Sequence, residues 1–289
     1  RADLIDLVAE GARAAGVKIR LLQHVLRVEP GTPARIELDR GVEMHADLVV
    51  GADGLHSATR AALNGTIAPF FTGQVAWRAV VPAEQGARAR PPEAWVHMGP
   101  RRHVVSYPLR EGTALNIVAV QERAAWQAES WSQEDDPETL RRTFADFGGE
   151  VREMLACVER VHLWGLFRHP VAPMWHGEGV VLLGDAAHPT LPFMAQGASL
   201  ALEDAWVLSE ALSLPGRLAT RLAAYQTRRE GRARRVVEAA SSNAWKYHLA
   251  LPPLRWAAHA ALRAGGALIP GRMIRQYDWL YGHDVTAEG

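Results

Sequence analysis

The sequence predicts an α/β fold in which an αβ unit is split by a β-rich insertion and followed by helices. Three observations carry that prediction. Helical periodicity and short apolar strands alternate over residues 1–69. Over residues 70–168, strand-like runs dominate, separated by Pro, Gly and Arg clusters. A short apolar run at 180–183 then re-enters an αβ pattern through a Gly-Asp turn. It leads from residues 169–215 into a helical region at 216–289.

The elements follow in order. Leu4, Leu7, Val8, Ala12 and Ala15 fall at helical spacing, and Gly16 is a C-cap candidate, so residues 1–15 read as helix. Residues 17–28 read as strand material. Residues 34–38 and 42–44 suggest a hairpin across Asp39-Arg40-Gly41. Residues 46–50 form a short buried strand that runs into GADGLHSATR, a Gly-rich turn entering a helix. Candidate strands follow at 75–81, 94–98, 103–109, 114–120 and 161–167, with one helix over 137–157. Helices are expected at 198–212 and 218–247. The apolar tail at 249–270 is interrupted by Pro252, Pro253, Arg255, His259 and Arg263, which fits a packed or surface helix better than a membrane span.

Composition narrows the class. The chain has 289 residues, 48% hydrophobic and 22% charged, as in soluble globular proteins of one or two domains. Lys plus Arg and Asp plus Glu are both 32, so nothing points to nucleic acid or an anionic membrane. The only cysteine, Cys157, cannot form an internal disulfide; it is expected to be a buried thiol in a cytoplasmic protein. Arg228, Arg229, Arg232, Arg234 and Arg235 are interleaved with Glu230 and Glu238, and read as a solvated or salt-bridged helix face. The aromatic tail Tyr277-Asp278-Trp279-Leu280-Tyr281 is expected to pack back on the body or to form a homodimer contact.

The most informative stretch is 184–204, GDAAHPTLPFMAQGASLALED. Gly184 lets backbone come close to a ligand. Asp185, at the carboxyl end of a strand, can accept hydrogen bonds from sugar-like hydroxyls. Pro189 offers a rigid apolar face. Gln196-Gly197 begins a helix whose unpaired N–H groups favour negative charge. His188 beside Asp185 has no second ligand at metal spacing, and no Gly-x-Ser-x-Gly elbow is present, so it reads as a satisfied polar residue and no metal is expected. A second stretch, 47–60, reads DLVVGADGLHSATR, with Asp53-Gly54 at its turn.

Taken in this order, the two stretches resemble the GD and DG motifs of the FAD-dependent aromatic-ring monooxygenases. The resemblance is strongest to the branch of salicylate hydroxylase, 3-hydroxybenzoate 6-hydroxylase and 6-hydroxynicotinate 3-monooxygenase. It implies that the split αβ unit is a partial FAD/NAD(P)-binding Rossmann-like domain interrupted by a β-sheet substrate domain. FAD would be the cofactor, NAD(P)H a transient co-substrate, and O2 and a small hydroxylated aromatic or N-heteroaromatic ring, with or without a carboxylate, the partners. By the same resemblance, Asp185 binds the ribityl chain and Pro189 lies near the flavin ring. Gly184, Gln196, Gly197, Ala198, Asp53 and Gly54 complete the cofactor contacts, with Gln196 also bordering substrate. The opening segment places Arg1 against the cofactor, and Val25 beside the adenine. The family's Gly-x-Gly-x-x-Gly turn is absent from these residues, so a preceding segment of roughly 100 residues is expected to carry it.

Residues 101–109 read RRHVVSYPL. On a strand, His103, Val105 and Tyr107 share one face. The family's reaction proceeds by electrophilic attack of a flavin C4a-hydroperoxide, and removing a substrate phenol proton supplies the electron density it needs. His titrates near neutrality and suits the base. Tyr, with a reference pKa of about 10, suits hydrogen bonding to the phenolate. The spacing of His103 and Tyr107 matches a His/Tyr pair in that branch. Trp77-Arg78 also resembles the family, and Arg78 is a candidate for a substrate carboxylate. Two other readings stay open: a flavoprotein of the same fold that inserts no oxygen, and a degenerate non-catalytic one.

Overall fold

A computed structural model describes residues 2–82, 92–126 and 133–287. Arg1 lies outside the described residues. Helix α1 (Ala2–Ala14) ends at Gly16, whose φ of +84° is the left-handed turn expected there. Strands β1 (Val25–Glu29), β2 (Ala34–Leu38) and β3 (Glu43–Ala46) form a small antiparallel sheet. The 17–28 run is mostly not strand. Leu22 has φ +58° and is 98% exposed, so only 25–29 pair. The hairpin turn falls where predicted, with Arg40 and Gly41 both at positive φ.

Strand β4 (Val49–Gly51) leads through the Asp53-Gly54 turn into α2 (Ala58–Asn64). Six strands then form the main sheet: β5 (Phe70–Pro82), β6 (Trp95–Gly99), β7 (Arg102–Leu109), β8 (Ala114–Glu122), β9 (Glu134–Asp135) and β10 (Val161–Arg168). Their order is β6-β7-β8-β5-β10-β9. The predicted single helix over 137–157 is two, α3 (Pro137–Thr143) and α4 (Gly149–Ala156). Gly148 caps α4, and the break sends Phe144 fully into the core against Trp77. One sheet face, with Val75, Trp77, Val104, Ile117 and Ala119, is sealed by Leu140, Phe144, Met154 and Leu155. Cys157, expected to be buried, is only half-buried, because it sits past the last turn of α4 at the margin of this core.

The chain returns to the αβ unit through β11 (His176–Gly177) and β12 (Val180–Leu182), and β12 pairs parallel to β4. Helices α5 (Gly197–Ser213) and α6 (Leu218–Tyr247) follow, then α7 (Pro252–Leu268), α8 (Pro270–Arg275) and α9 (Asp278–Tyr281). Val180, Val181 and Leu182 pack with Trp175, Val207, Leu222 and Tyr225. A third cluster joins the main sheet to the helices, with Ala76, Val120 and Trp164 against Met194, Leu200, Val236 and Leu280. Leu280 is 2% exposed, so the aromatic tail packs on its own chain. No helix among the described residues is long and apolar enough to cross a membrane.

Strand β4 and helix α2 approach closely because Gly51 has no side chain. A Cβ there would lie 2.4 Å from the Thr59 Cβ. Gly51→Ala is therefore expected to destabilise the fold by about 1–3 kcal/mol, read as a lower urea midpoint.

Candidate active site

The two motifs meet at one end of the β4–β12 pair. Val49, Val50 and Gly51 register with Val180, Val181 and Leu182, and the Leu183 N–H donates to the Gly51 carbonyl (2.9 Å). Asp53 and Asp185 therefore emerge together beyond the carboxyl ends of parallel strands, and both are exposed. Open α/β sheets bind ligands at this edge.

Gly184 turns the chain with φ +61°; a Cβ there would sit 3.1 Å from Ala201 on α5. Beneath the turn lies Asp204, fully buried. Its Oδ2 accepts from the Gly184 N–H (3.0 Å) and from His188 Nε2 (2.6 Å), and its Oδ1 accepts from Arg229 Nε (2.8 Å). Arg229 also donates to Glu203 (2.6 Å), as does Arg232 (2.8 Å). Arg232 then holds the carbonyls of Trp279 (2.9 Å) and Leu280 (3.2 Å). His188 is thus a satisfied structural histidine. The basic helix face differs from expectation: it is salt-bridged, but Arg229 is 2% exposed and buried within the αβ unit. Burial alone would raise the Asp204 pKa; the hydrogen bond and charge of His188, then the charge and hydrogen bond of Arg229, hold it below the usual carboxylate range.

Asp53 organises the other motif. Its Oδ1 accepts from the Ser57 hydroxyl (2.5 Å), and its Oδ2 accepts from the N–H and hydroxyl of Thr59 (3.0 Å each). Ser57 caps α2, accepting from the Arg60 N–H (2.7 Å). Arg60, 5% exposed, ties the two motifs together. Its guanidinium donates to the carbonyls of Ala186 (3.1 Å), Ala187 (3.2 Å) and Pro170 (2.8 Å). Arg60 and Asp204 escaped attention as single residues, although both end the quoted motifs.

Pro189 is buried, Gln196 is 7% exposed, and Ala198 is exposed in the first turn of α5. The left-handed turn at Ala195 (φ +52°) delivers the chain into that helix. A dinucleotide cofactor fits these residues. An exposed Asp185, a glycine turn packed tightly on α5 and an open helix N-terminus offer, in that order, hydroxyl acceptance, close approach and stabilisation of negative charge. Val25 is 36% exposed at the start of β1.

The main sheet turns its second face toward the motif loop. The register pairs His103 with Val120, Val105 with Val118, Tyr107 with Asn116, and Arg78 with Val118. Alternation places His103, Tyr107, Asn116 and Arg78 on that face. Arg78 Nε donates to Asn116 Oδ1 (3.2 Å). His103 is fully buried, edge-on to Phe193 (5.3 Å between ring centroids) and Tyr247 (5.2 Å). Its Nδ1 lies 2.6 Å from His248 Nε2, and His248 Nδ1 lies 3.0 Å from Glu122 Oε1. His103 Nε2 and Asn116 Nδ2 are buried without a hydrogen-bond partner among the described residues. Burial, then the neighbouring His248, pushes the His103 pKa down to about 3, so the ring does not titrate near neutrality as expected and is neutral at physiological pH. His103 and Tyr107 share the face but stand roughly 13 Å apart along the strand. His248 had no signal in the sequence.

A Rossmann-like unit split by a sheet, with two carboxylates at one strand edge, defines a dinucleotide-cofactor protein. The FAD binding domain profile matches residues 2–240, and the chain belongs to that family. It is 33% identical over 255 residues to 3-amino-4-hydroxybenzoate 2-monooxygenase PtnB3 of Streptomyces platensis, covering 86% of this chain and 62% of that protein. It is 32% identical over 296 residues to 3-hydroxybenzoate 6-hydroxylase 2 of Aquipseudomonas alcaligenes, covering 99% of this chain and 88% of that protein. A salicylate hydroxylase substrate complex superposes with a TM-score of 0.83 at 25% identity, covering 100% of this chain and 74% of that one. The chain thus spans less than two thirds of the length of its Streptomyces relative.

Asp204 carries stability that is fully present above its unfolded carboxylate pKa, about 3.9, and is lost as pH falls through the lower folded value. Asp204→Asn, which deprives buried Arg229 of one of its two carboxylate partners, is expected to cost about 3–5 kcal/mol at neutral pH. It should also flatten the acid limb of a urea-midpoint titration.

Proposed function

We propose that the protein is an FAD-dependent, NAD(P)H-consuming monooxygenase that hydroxylates a small phenolic ring, with or without a carboxylate. The observation that carries this reading is His103 Nε2, a buried ring nitrogen with no hydrogen-bond partner among the described residues, on the sheet face that turns toward the GD loop. The relatives named above, each a hydroxylase or monooxygenase of a hydroxybenzoate by name, support the substrate class. Bound FAD would supply the oxygen-transfer chemistry, and NAD(P)H the electrons.

Asp185, Pro189 and the first turn of α5 through Gly197 and Ala198 would hold the cofactor, with Gly184 and Gly54 permitting close approach. Asp53 supports that edge by shaping the first turn of α2. Neutral His103 accepts the substrate phenol proton, Tyr107 hydrogen-bonds the phenolate, and Gln196 borders the ring. Arg78, already oriented by Asn116, meets a carboxylate where the substrate has one.

The flavin-loaded protein is expected to oxidise NAD(P)H faster with salicylate, 3-hydroxybenzoate or 3-amino-4-hydroxybenzoate present, and to yield a hydroxylated product by mass spectrometry. Hydrogen peroxide as the sole product across that panel would defeat the proposal. His103→Ala should lower kcat by about 10²–10⁴-fold while the flavin-to-protein absorbance ratio stays unchanged. Arg78→Met should raise KM for carboxylated phenols more than for uncarboxylated ones.

A further inference from the structure

We propose that His248 and Glu122 form a proton relay connecting His103 to a solvent cavity at the end of strand β8. The relay rests on the reading of His103 as the base and adds two residues and an exit to it.

The tautomers follow from the terminal carboxylate. Glu122 accepts at Oε1, so His248 Nδ1 carries a proton and donates. A neutral His248 then has a lone pair on Nε2, and the facing His103 Nδ1 must be the donor across 2.6 Å. This leaves His103 Nε2 unprotonated, with its lone pair presented and no donor within the described chain. One carboxylate therefore sets a base two rings away, as an orienting acid sets the imidazole of a catalytic triad.

The chain of groups is held from both ends. The Arg101 N–H donates to the His248 carbonyl (3.1 Å), and the Glu122 N–H donates to the Arg101 carbonyl (3.0 Å). Both imidazoles are almost fully buried, whereas the Glu122 side chain is 33% exposed. Glu122 lines an open cavity of about 740 Å³ together with Gln74, Arg101, Gln121 and Arg123. The charged and titratable groups facing the path are Tyr247 beside His103, and Arg101 on Glu122 (3.0 Å). Arg102 and Arg123 stand in the cavity wall.

The transfer balances. The phenol proton moves to His103 Nε2, the Nδ1 proton of His103 to His248 Nε2, and the Nδ1 proton of His248 to Glu122, which releases one proton to water. No electrons move. Reverse passage returns a proton to the product oxygen and restores both tautomers. A ring whose own basicity is depressed by burial need not retain the charge, because it hands the proton on.

Two measurements test the relay. Nitrogen-15 spectra of histidine-labelled protein should show His103 and His248 each protonated at Nδ1 and bare at Nε2. Glu122→Ala should scramble that pattern. Protonated His103 Nε2 in the wild-type protein, or tautomers unchanged in Glu122→Ala, would overturn the relay whether or not the protein turns over a phenol. In the flavin-loaded protein, Glu122→Gln keeps an acceptor but cannot take the proton. It should lower kcat by up to ~10²-fold, leave KM near the wild-type value and enlarge the solvent deuterium effect, with Glu122→Asp restoring part of the loss. An unchanged kcat and isotope effect in Glu122→Gln would also reject it. Absence of hydroxylation in the wild-type protein would instead sink the functional reading, leaving the spectra to decide the relay.

Discussion

Asp204 is the constraint on which the rest of the αβ unit depends. A carboxylate with no exposure is tolerated only when its oxygens are occupied, since breaking such a set leaves an uncompensated charge. Its three donors come from the motif turn, from His188 four residues later, and from α6. Satisfying Asp204 therefore fixes the turn that presents Asp185, the start of α5 and the pitch of α6 in one arrangement. The demand then spreads outward. Arg229 draws in Glu203, Glu203 draws in Arg232, and Arg232 seizes the carbonyls of the aromatic tail.

Arg60 closes the same turn from the opposite side. Its guanidinium spans the carbonyls of Ala186, Ala187 and Pro170, groups that neither sheet nor helix pairs. The motif is thus clamped between a buried anion and a buried cation, on separate elements. Such a clamp suits an edge meant to receive a large cofactor, because the backbone is already in place when the ligand arrives.

The main sheet divides its two faces differently. One is dry and sealed by Trp77, Phe144 and Leu155. The other mixes apolar packing with polar atoms that no described residue satisfies, His103 Nε2 and Asn116 Nδ2 among them. Buried unpaired groups cost free energy, and another, Ser106 Oγ, lies on the first face, so only the His103 and Asn116 atoms bear on the motif loop. On the same face, Glu122, His248 and His103 form a hydrogen-bonded line from solvent to the interior.

Local chemistry made much of this legible. Helix α6 coincides with the expected 218–247, and the turns at Gly16 and Asp39-Arg40-Gly41 fall where glycine placed them. The main strands differ from expectation mostly at their ends. Short-range signals failed where packing overrode them: residues 17–23 carry apolar residues but join no strand ladder among the described residues, and 137–157 breaks so that Phe144 can enter the core. By itself, the sequence determined the order of elements, the two motif turns and the shared face of His103 and Tyr107, because periodicity and turn chemistry act over a few residues. Only the tertiary structure decided which charges are buried and whom they meet. Arg229 became an interior cation, and His248 came to touch His103 across 145 positions of sequence. Burial is set by what packs from elsewhere in the chain, and no local pattern encodes that.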